Sequence, residues 1–85
     1  MSYRIEFAPA ASRKIRDLEK PVQTRIFRAI EALKKAPRPP SCKKLECEEP
    51  LYRIRVGDYR IMYEIHDALL LVLVLKIGHR RDVYR

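Results

Sequence analysis

Arg53, Arg55 and Arg60 sit on either side of the dipeptide Gly57-Asp58, inside two runs of alternating character. Leu51 to Val56 alternates, Gly57-Asp58 supplies a two-residue turn, and Tyr59 to Ile65 alternates again, the pattern of a β-hairpin. If Val56 and Tyr59 flank the turn, Arg55 stands opposite Arg60 and Arg53 opposite Met62. Directly opposed residues share a sheet face, as do residues two apart on one strand. Arg53, Arg55 and Arg60 then point one way, and Tyr52, Ile54, Val56, Tyr59, Ile61 and Tyr63 the other. Facing like charges are unfavourable. An anion relieves them, and a guanidinium grips phosphate oxygens with two parallel hydrogen bonds. The bland alternative is three solvated arginines on an open face, with Glu64 as partial neutraliser. Convergence of three favours anion recognition.

A basic tail follows Gly78: His79, Arg80, Arg81, Asp82, Val83, Tyr84 and Arg85. Leaving the edge of the same sheet, it can fold back towards the arginines. His79 can titrate near neutrality, and Tyr84 can stack on a base or supply a phenolic proton. The alternative is a solvated, frayed terminus. Other chemistry finds less support. Ser2, Ser12 and Ser41 lie in no nucleophile-elbow context, and with only Gly57 and Gly78 there is no glycine-rich phosphate loop. Cys42 and Cys47 with the distant His66 and His79 match no metal spacing, so no metal or cofactor is expected and both thiols are read as free. Glu46, Glu48 and Glu49 read as a solvated acidic patch, and the tyrosines 3, 52, 59 and 63 as core or rim.

The elements that must carry the arginines are legible in the rest of the chain. Tyr3, Ile5 and Phe7 alternate with Arg4 and Glu6, an opening strand. Ala8, Ala11, Ile15 and Leu18 recur at helical spacing. Pro21 suits the first turn of a second helix that buries Val22, Ile26, Ala29, Ile30 and Leu33 and stops before Pro37. Residues 37–50 hold four of the six prolines and both cysteines, a surface connection with Leu45 as its one anchor. The apolar run Ala68 to Leu75 has the length of a buried strand, ending about Ile77, and is far too short to span a membrane. The expected fold is α+β: a strand, a two-helix hairpin and a three-stranded meander, giving a mainly antiparallel four-stranded sheet with helices on one face.

The chain has 85 residues, room for one domain over 1–85. Its 19 Lys and Arg against 11 Asp and Glu give a formal charge of +8, which favours a polyanionic partner, nucleic acid or a strongly acidic protein. Met1 to Phe7 carries Arg4 and Glu6 and forms no apolar signal run, so a cytoplasmic protein is expected.

Leu51-Tyr-Arg-Ile-Arg-Val-Gly-Asp-Tyr-Arg-Ile-Met-Tyr-Glu-Ile65, followed by Ile77-Gly-His-Arg-Arg-Asp-Val-Tyr84, resembles the RelE branch of the RelE/ParE toxin superfamily. The likeness extends over nearly the whole chain, including Lys43-Lys44-Leu45 on the approach to the hairpin. It implies a type II toxin that cleaves messenger RNA in the ribosomal decoding site, the 2′-hydroxyl attacking the adjacent phosphate. It also implies a cognate antitoxin, expected to bring an acidic segment, and no small-molecule cofactor. By the resemblance the basic pair falls on Arg53 and Arg55, the arginine that stabilises the scissile phosphate on Arg60, the arginine that protonates the leaving oxygen on Arg80, and the stacking tyrosine on Tyr84. Lys43, Lys44 and Arg81 join as substrate contacts. Well-studied members carry lysines where this chain has Arg53 and Arg55, and arginine, with a pKa above about 12, is no base. Proton transfer then falls to His79, Tyr84, solvent or a ribosomal group, with His79 the most attractive because related toxins use a histidine near the tail. Two other functions fit the same sequence: a ParE-like inhibitor of DNA gyrase, and a non-catalytic RNA- or ribosome-binding module.

Overall fold

In the computed structural model of the protein, residues 2–40, 42–44 and 51–79 are described. Strand β1 (Arg4–Phe7) leads into helix α1 (Pro9–Arg16), where Pro9 occupies the first turn and Ala8 stays extended. A proline costs nothing there because the first turn's N–H groups have no helical acceptor. Helix α2 (Lys20–Leu33) begins the same way, with Pro21 in its first turn. The Gln23 side chain donates a hydrogen bond of 2.7 Å to the Ile15 carbonyl at the end of α1, tying the two helices together. Their inward faces bury Ala11 and Ile15 from α1, and Ile26, Ile30 and Leu33 from α2.

The sheet has five strands, not the expected four. Strand β2 is a two-residue piece, Lys43–Lys44, inside the proline-rich connection, too short to carry a readable alternation. Then come β3 (Leu51–Val56), β4 (Tyr59–His66), a single 3₁₀ turn (Asp67–Leu69) and β5 (Leu71–His79). The order is β1-β5-β4-β3-β2, with β1 parallel to β5 and every other pair antiparallel. The chain reaches that parallel pairing by crossing over through the two helices, which cover one face only. Beneath them lie Tyr52, Ile54, Ile61, Tyr63, Ile65, Val72, Val74 and Ile77. Each fully buried apolar side chain contributes on the order of 1.5–3 kcal/mol. A one-residue slip of either hairpin strand would expose that strand's share of these and bury arginine instead, so the core fixes which way the arginines face.

The tyrosines behave as expected of core and rim: Tyr63 and Tyr52 are buried, and Tyr3 and Tyr59 pack against the core from its edge. Cys42 is a free thiol, while Cys47, Leu45 and the acidic residues 46, 48 and 49 lie outside the described residues. Among the described residues no helix is long and apolar enough to cross a membrane.

Candidate nucleic-acid interface

The β3–β4 turn is built on Gly57, whose φ is +60° while Asp58 stays at negative φ. A positive φ at the first central position alone is the type II′ turn, whose twist matches that of the flanking strands. Gly57 is required for a second reason. A Cβ placed there would come within 2.6 Å of a guanidinium nitrogen of Arg25, which reaches over the turn from α2.

From this turn the register runs as the sequence implies: Val56 opposite Tyr59, Arg55 opposite Arg60, and Arg53 opposite Met62. Tyr52, Ile54, Ile61 and Tyr63 face the helices, and the three arginines share the opposite face. Their surroundings differ. Arg55 is exposed and Arg53 half-exposed, but Arg60 retains only 6 % of its accessible surface. Burying a charge is costly unless its donors are satisfied. No buried side-chain nitrogen or oxygen among the described residues lacks a partner, so Arg60 is a held group and not a waving one.

The register separates the two candidate lysines. Lys43 pairs with Arg53 and joins the arginine face; Lys44 pairs with Tyr52 and points the other way. Lys44 therefore does not belong to the cluster, because adjacent residues of a strand alternate faces. His79 is also corrected. It stands opposite Tyr59 on the helix side, its ring edge-on to the tyrosine with centroids 5.1 Å apart, while Gly78 takes the place opposite Arg60. β5 is interior to the sheet only over residues 71–74, where β1 pairs with it; its last residues, up to His79, have no strand on that side among the described residues. Arg80, Arg81 and Tyr84 lie outside the described residues.

Lys76 was not singled out by sequence. Counting by twos from the buried Val72 and Val74 turns it inward. A register shift between Met62 and Tyr63 leaves Leu75 without a partner and restores alternation one residue late, so Lys76 faces outward opposite Met62. The signal available was a lysine closing an apolar strand, where an inward position would be prohibitively costly.

Among the described residues, Lys43, Arg53, Arg55 and Lys76 have no carboxylate partner. Glu64, the expected neutraliser, is instead held by the His66 ring at 2.7 Å. The strongest pairing lies at the opposite end of the sheet. Arg38 donates two hydrogen bonds to Asp67, of 2.8 and 3.2 Å, and one of 3.1 Å to the Tyr52 hydroxyl. The Tyr3 hydroxyl donates to the same carboxylate at 2.6 Å. These donors, Arg38 first, lower the Asp67 carboxyl to a pKa of about 2. Tyr63 donates to the Pro37 carbonyl at 2.8 Å, and burial pushes its phenol well up, with Cys42 adding to the effect. Among the described residues no group of three His, Cys, Asp or Glu converges as a metal site.

An open face with several unpartnered cations and one held arginine can bind a polyanion and stabilise charge developing on one phosphate. Residues 5–84 match the family described as the ParE toxin of the type II toxin–antitoxin system parDE. Toxin RelG of Mycobacterium tuberculosis is 29% identical over 93 residues, an alignment covering all of this chain and 99% of that protein. A chain in the crystal structure of the archaeal RelE–RelB complex from Pyrococcus horikoshii superposes with a TM-score of 0.84 at 28% identity, covering 94% of this chain and 97% of that one. The isolated Escherichia coli RelE toxin gives 0.82 at 25% identity, covering 98% of this chain and 92% of the other.

Proposed function

The chain belongs to the RelE/ParE toxin superfamily as a RelE-like toxin of a type II toxin–antitoxin system, and from that membership we propose that it is a metal-independent endoribonuclease acting on messenger RNA at the ribosome. The observation that carries this reading is the facing pair Arg55 and Arg60 on the sheet face turned away from the helices, with Arg53 and Lys43 beside it and no carboxylate among the described residues paired with Lys43, Arg53 or Arg55.

In the proposed reaction the 2′-oxygen attacks the neighbouring phosphorus, a 2′-O–P bond forms and the P–O5′ bond breaks. The products are a 2′,3′-cyclic phosphate and a free 5′-hydroxyl. Negative charge builds on the non-bridging oxygens of the pentavalent transition state. Arg60, already desolvated and fixed, is suited to stabilise it without reorganising, which is where such electrostatic help is largest. Arg55 and Arg53 position the strand. The 2′-hydroxyl proton must leave to a base, and none of the three arginines can serve. With His79 turned to the helix side, the base falls to Tyr84, water or a ribosomal group. Arg80 is assigned to protonate the departing 5′-oxygen, and Tyr84 and Arg81 to hold the base and backbone alongside. The site asks for no cofactor.

The superposed relative from Pyrococcus horikoshii is in complex with RelB, which supports a cognate antitoxin for this chain. An antitoxin segment rich in Asp and Glu would silence the toxin by occupying the cations of that face. Action on translated messages places the protein in the cytoplasm.

Induced expression with mapping of message ends tests the reading. Cleavage within translated codons, leaving cyclic-phosphate ends and lost in Arg60→Ala, is the expected outcome; intact messages in arrested cells would reject it. A second reading, inhibition of DNA gyrase, is favoured by the ParE description of the matched family. It predicts intact messages together with loss of negative supercoiling in plasmid DNA.

A further inference from the structure

Two cross-strand rows lie on the sheet face turned away from the helices. One is Arg55–Arg60–Gly78, across β3, β4 and β5. The other, two residues further from the Gly57 turn, is Lys43–Arg53–Met62–Lys76, across β2, β3, β4 and β5. Taking the proposed RNA cleavage as its premise, we propose that Lys76 is a further RNA-binding residue, and that the message crosses the strands, with Lys43 and Lys76 gripping its backbone at the two ends of the second row.

Lys76 is exposed, and among the described residues it has no hydrogen-bonding or ionic partner. Its outward direction depends on the bulge at Leu75; regular pairing would have turned the ammonium into the core. Three interstrand steps of about 4.8 Å separate Lys43 from Lys76, a span of ~14 Å against a rise of about 3.4 Å per nucleotide in a stacked strand. The row is thus long enough to meet more than one phosphate. Its centre is the half-buried Met62, an apolar surface on which a base or ribose can rest.

A different duty is open to a lysine at this place. Strand β1 pairs only with residues 71–74 of β5, and a lysine beyond that point can guard an unpaired edge against association. The two duties make opposite predictions. Binding is measured with a short single-stranded RNA fully 2′-O-methylated, which cannot be cut, over a range of salt, and cleavage kinetics with a translated message. Wild type, Lys76→Gln, Lys76→Arg and, as a control on the helix side, Lys20→Gln are compared. For one lost phosphate contact on a single strand, Lys76→Gln should flatten the slope of log affinity against log salt by about 0.7. It should also raise KM several-fold with little change in kcat, and Lys76→Arg should restore both while Lys20→Gln changes neither. An unaltered slope and KM in Lys76→Gln, with or without new aggregation, overturns the assignment. Wild type that binds the oligonucleotide without cutting messages defeats the cleavage reading and leaves the slope to decide Lys76. Wild type that neither binds nor cuts defeats both.

Discussion

Arginines at the two ends of this sheet live under opposite conditions. At the Asp67 end, Arg38 is matched by a two-pronged carboxylate and a tyrosine hydroxyl, and its guanidinium lies 5.2 Å from the Tyr52 ring centroid. At the Gly57 end, Arg55 faces Arg60 directly, and no described carboxylate answers Arg55 or Arg53. The first arrangement ties the segment after α2 to the β4–β5 turn and needs nothing further. The second sets two like charges face to face, a cost that an anionic ligand relieves, and is the arrangement of a surface kept for binding. Residue type is the same at both ends. What separates the two ends is that Arg38 has a described carboxylate as its counter-charge, whereas Arg53 and Arg55 have none among the described residues.

The sharpest way to break the comparison is Arg60→Ala. If the Gly57 end stabilises a transition state, cleavage should fall roughly 10²–10³-fold, the usual cost of one preorganised donor. Circular dichroism and the thermal midpoint should show a folded protein. Because Arg60 is buried, Arg55→Ala at its exposed partner should be run beside it and should also weaken cleavage. Full activity in both variants would strip the arginine pair of its role.

Gly57→Ala comes next and acts on stability. It forces a Cβ into positive φ and against the Arg25 guanidinium. The backbone strain alone is about 1–3 kcal/mol, read by urea denaturation. Because Arg25 can swing aside, the double variant Gly57→Ala/Arg25→Ala should recover only part of the loss, leaving the φ penalty behind. A full recovery would mean that the turn is not strained by alanine.

Arg55→Gln should move stability the other way. Removing one of two facing positive charges is expected to stabilise the free protein by about 0.2–1 kcal/mol, more at low salt, while weakening RNA binding. A loss of stability on that substitution would mean that Arg55 has a partner and that the contrast between the two ends is illusory.

The arginine face was legible from sequence because two strong signals coincide. Gly57-Asp58 fixes where the hairpin turns, and the alternation of Tyr52, Ile54, Ile61 and Tyr63 fixes which way it faces. The helices were legible for the same reason, each pairing an early proline with an apolar stripe. What escaped had no periodic signature. Strand β2 is only two residues long, and its pairing is decided by the neighbour it meets, so the split between Lys43 and Lys44 could not be read locally. Lys76 was hidden by a bulge that reverses parity, and His79 was assigned to the tail because Gly78 reads as the close of a strand that in fact continues to His79. The Arg38–Asp67 pair joins residues 29 apart, across a loop and a turn, and neither residue stands in a pattern that predicts the other.

That pair also supplies the smallest effect and the cleanest control. Asp67 titrates at about 2 in the folded protein against 3.8 unperturbed, chiefly because Arg38 and then Tyr3 donate to its ionised form. A depressed carboxyl stabilises the fold at every pH above its unfolded value, and that contribution drains away as pH falls from near 4 towards 2. Wild type should therefore lose thermal stability on acidification through this window, and Asp67→Asn should lose less over the same interval from a lower starting midpoint. Cleavage at neutral pH should be nearly unaffected, since Asp67 lies at the far end of the sheet from Arg60. If Asp67→Asn instead abolished cleavage while leaving the acid limb of the stability profile unchanged, the division of labour between the two ends would be wrong. Arg38 would then belong to the machinery assigned to Arg53, Arg55 and Arg60.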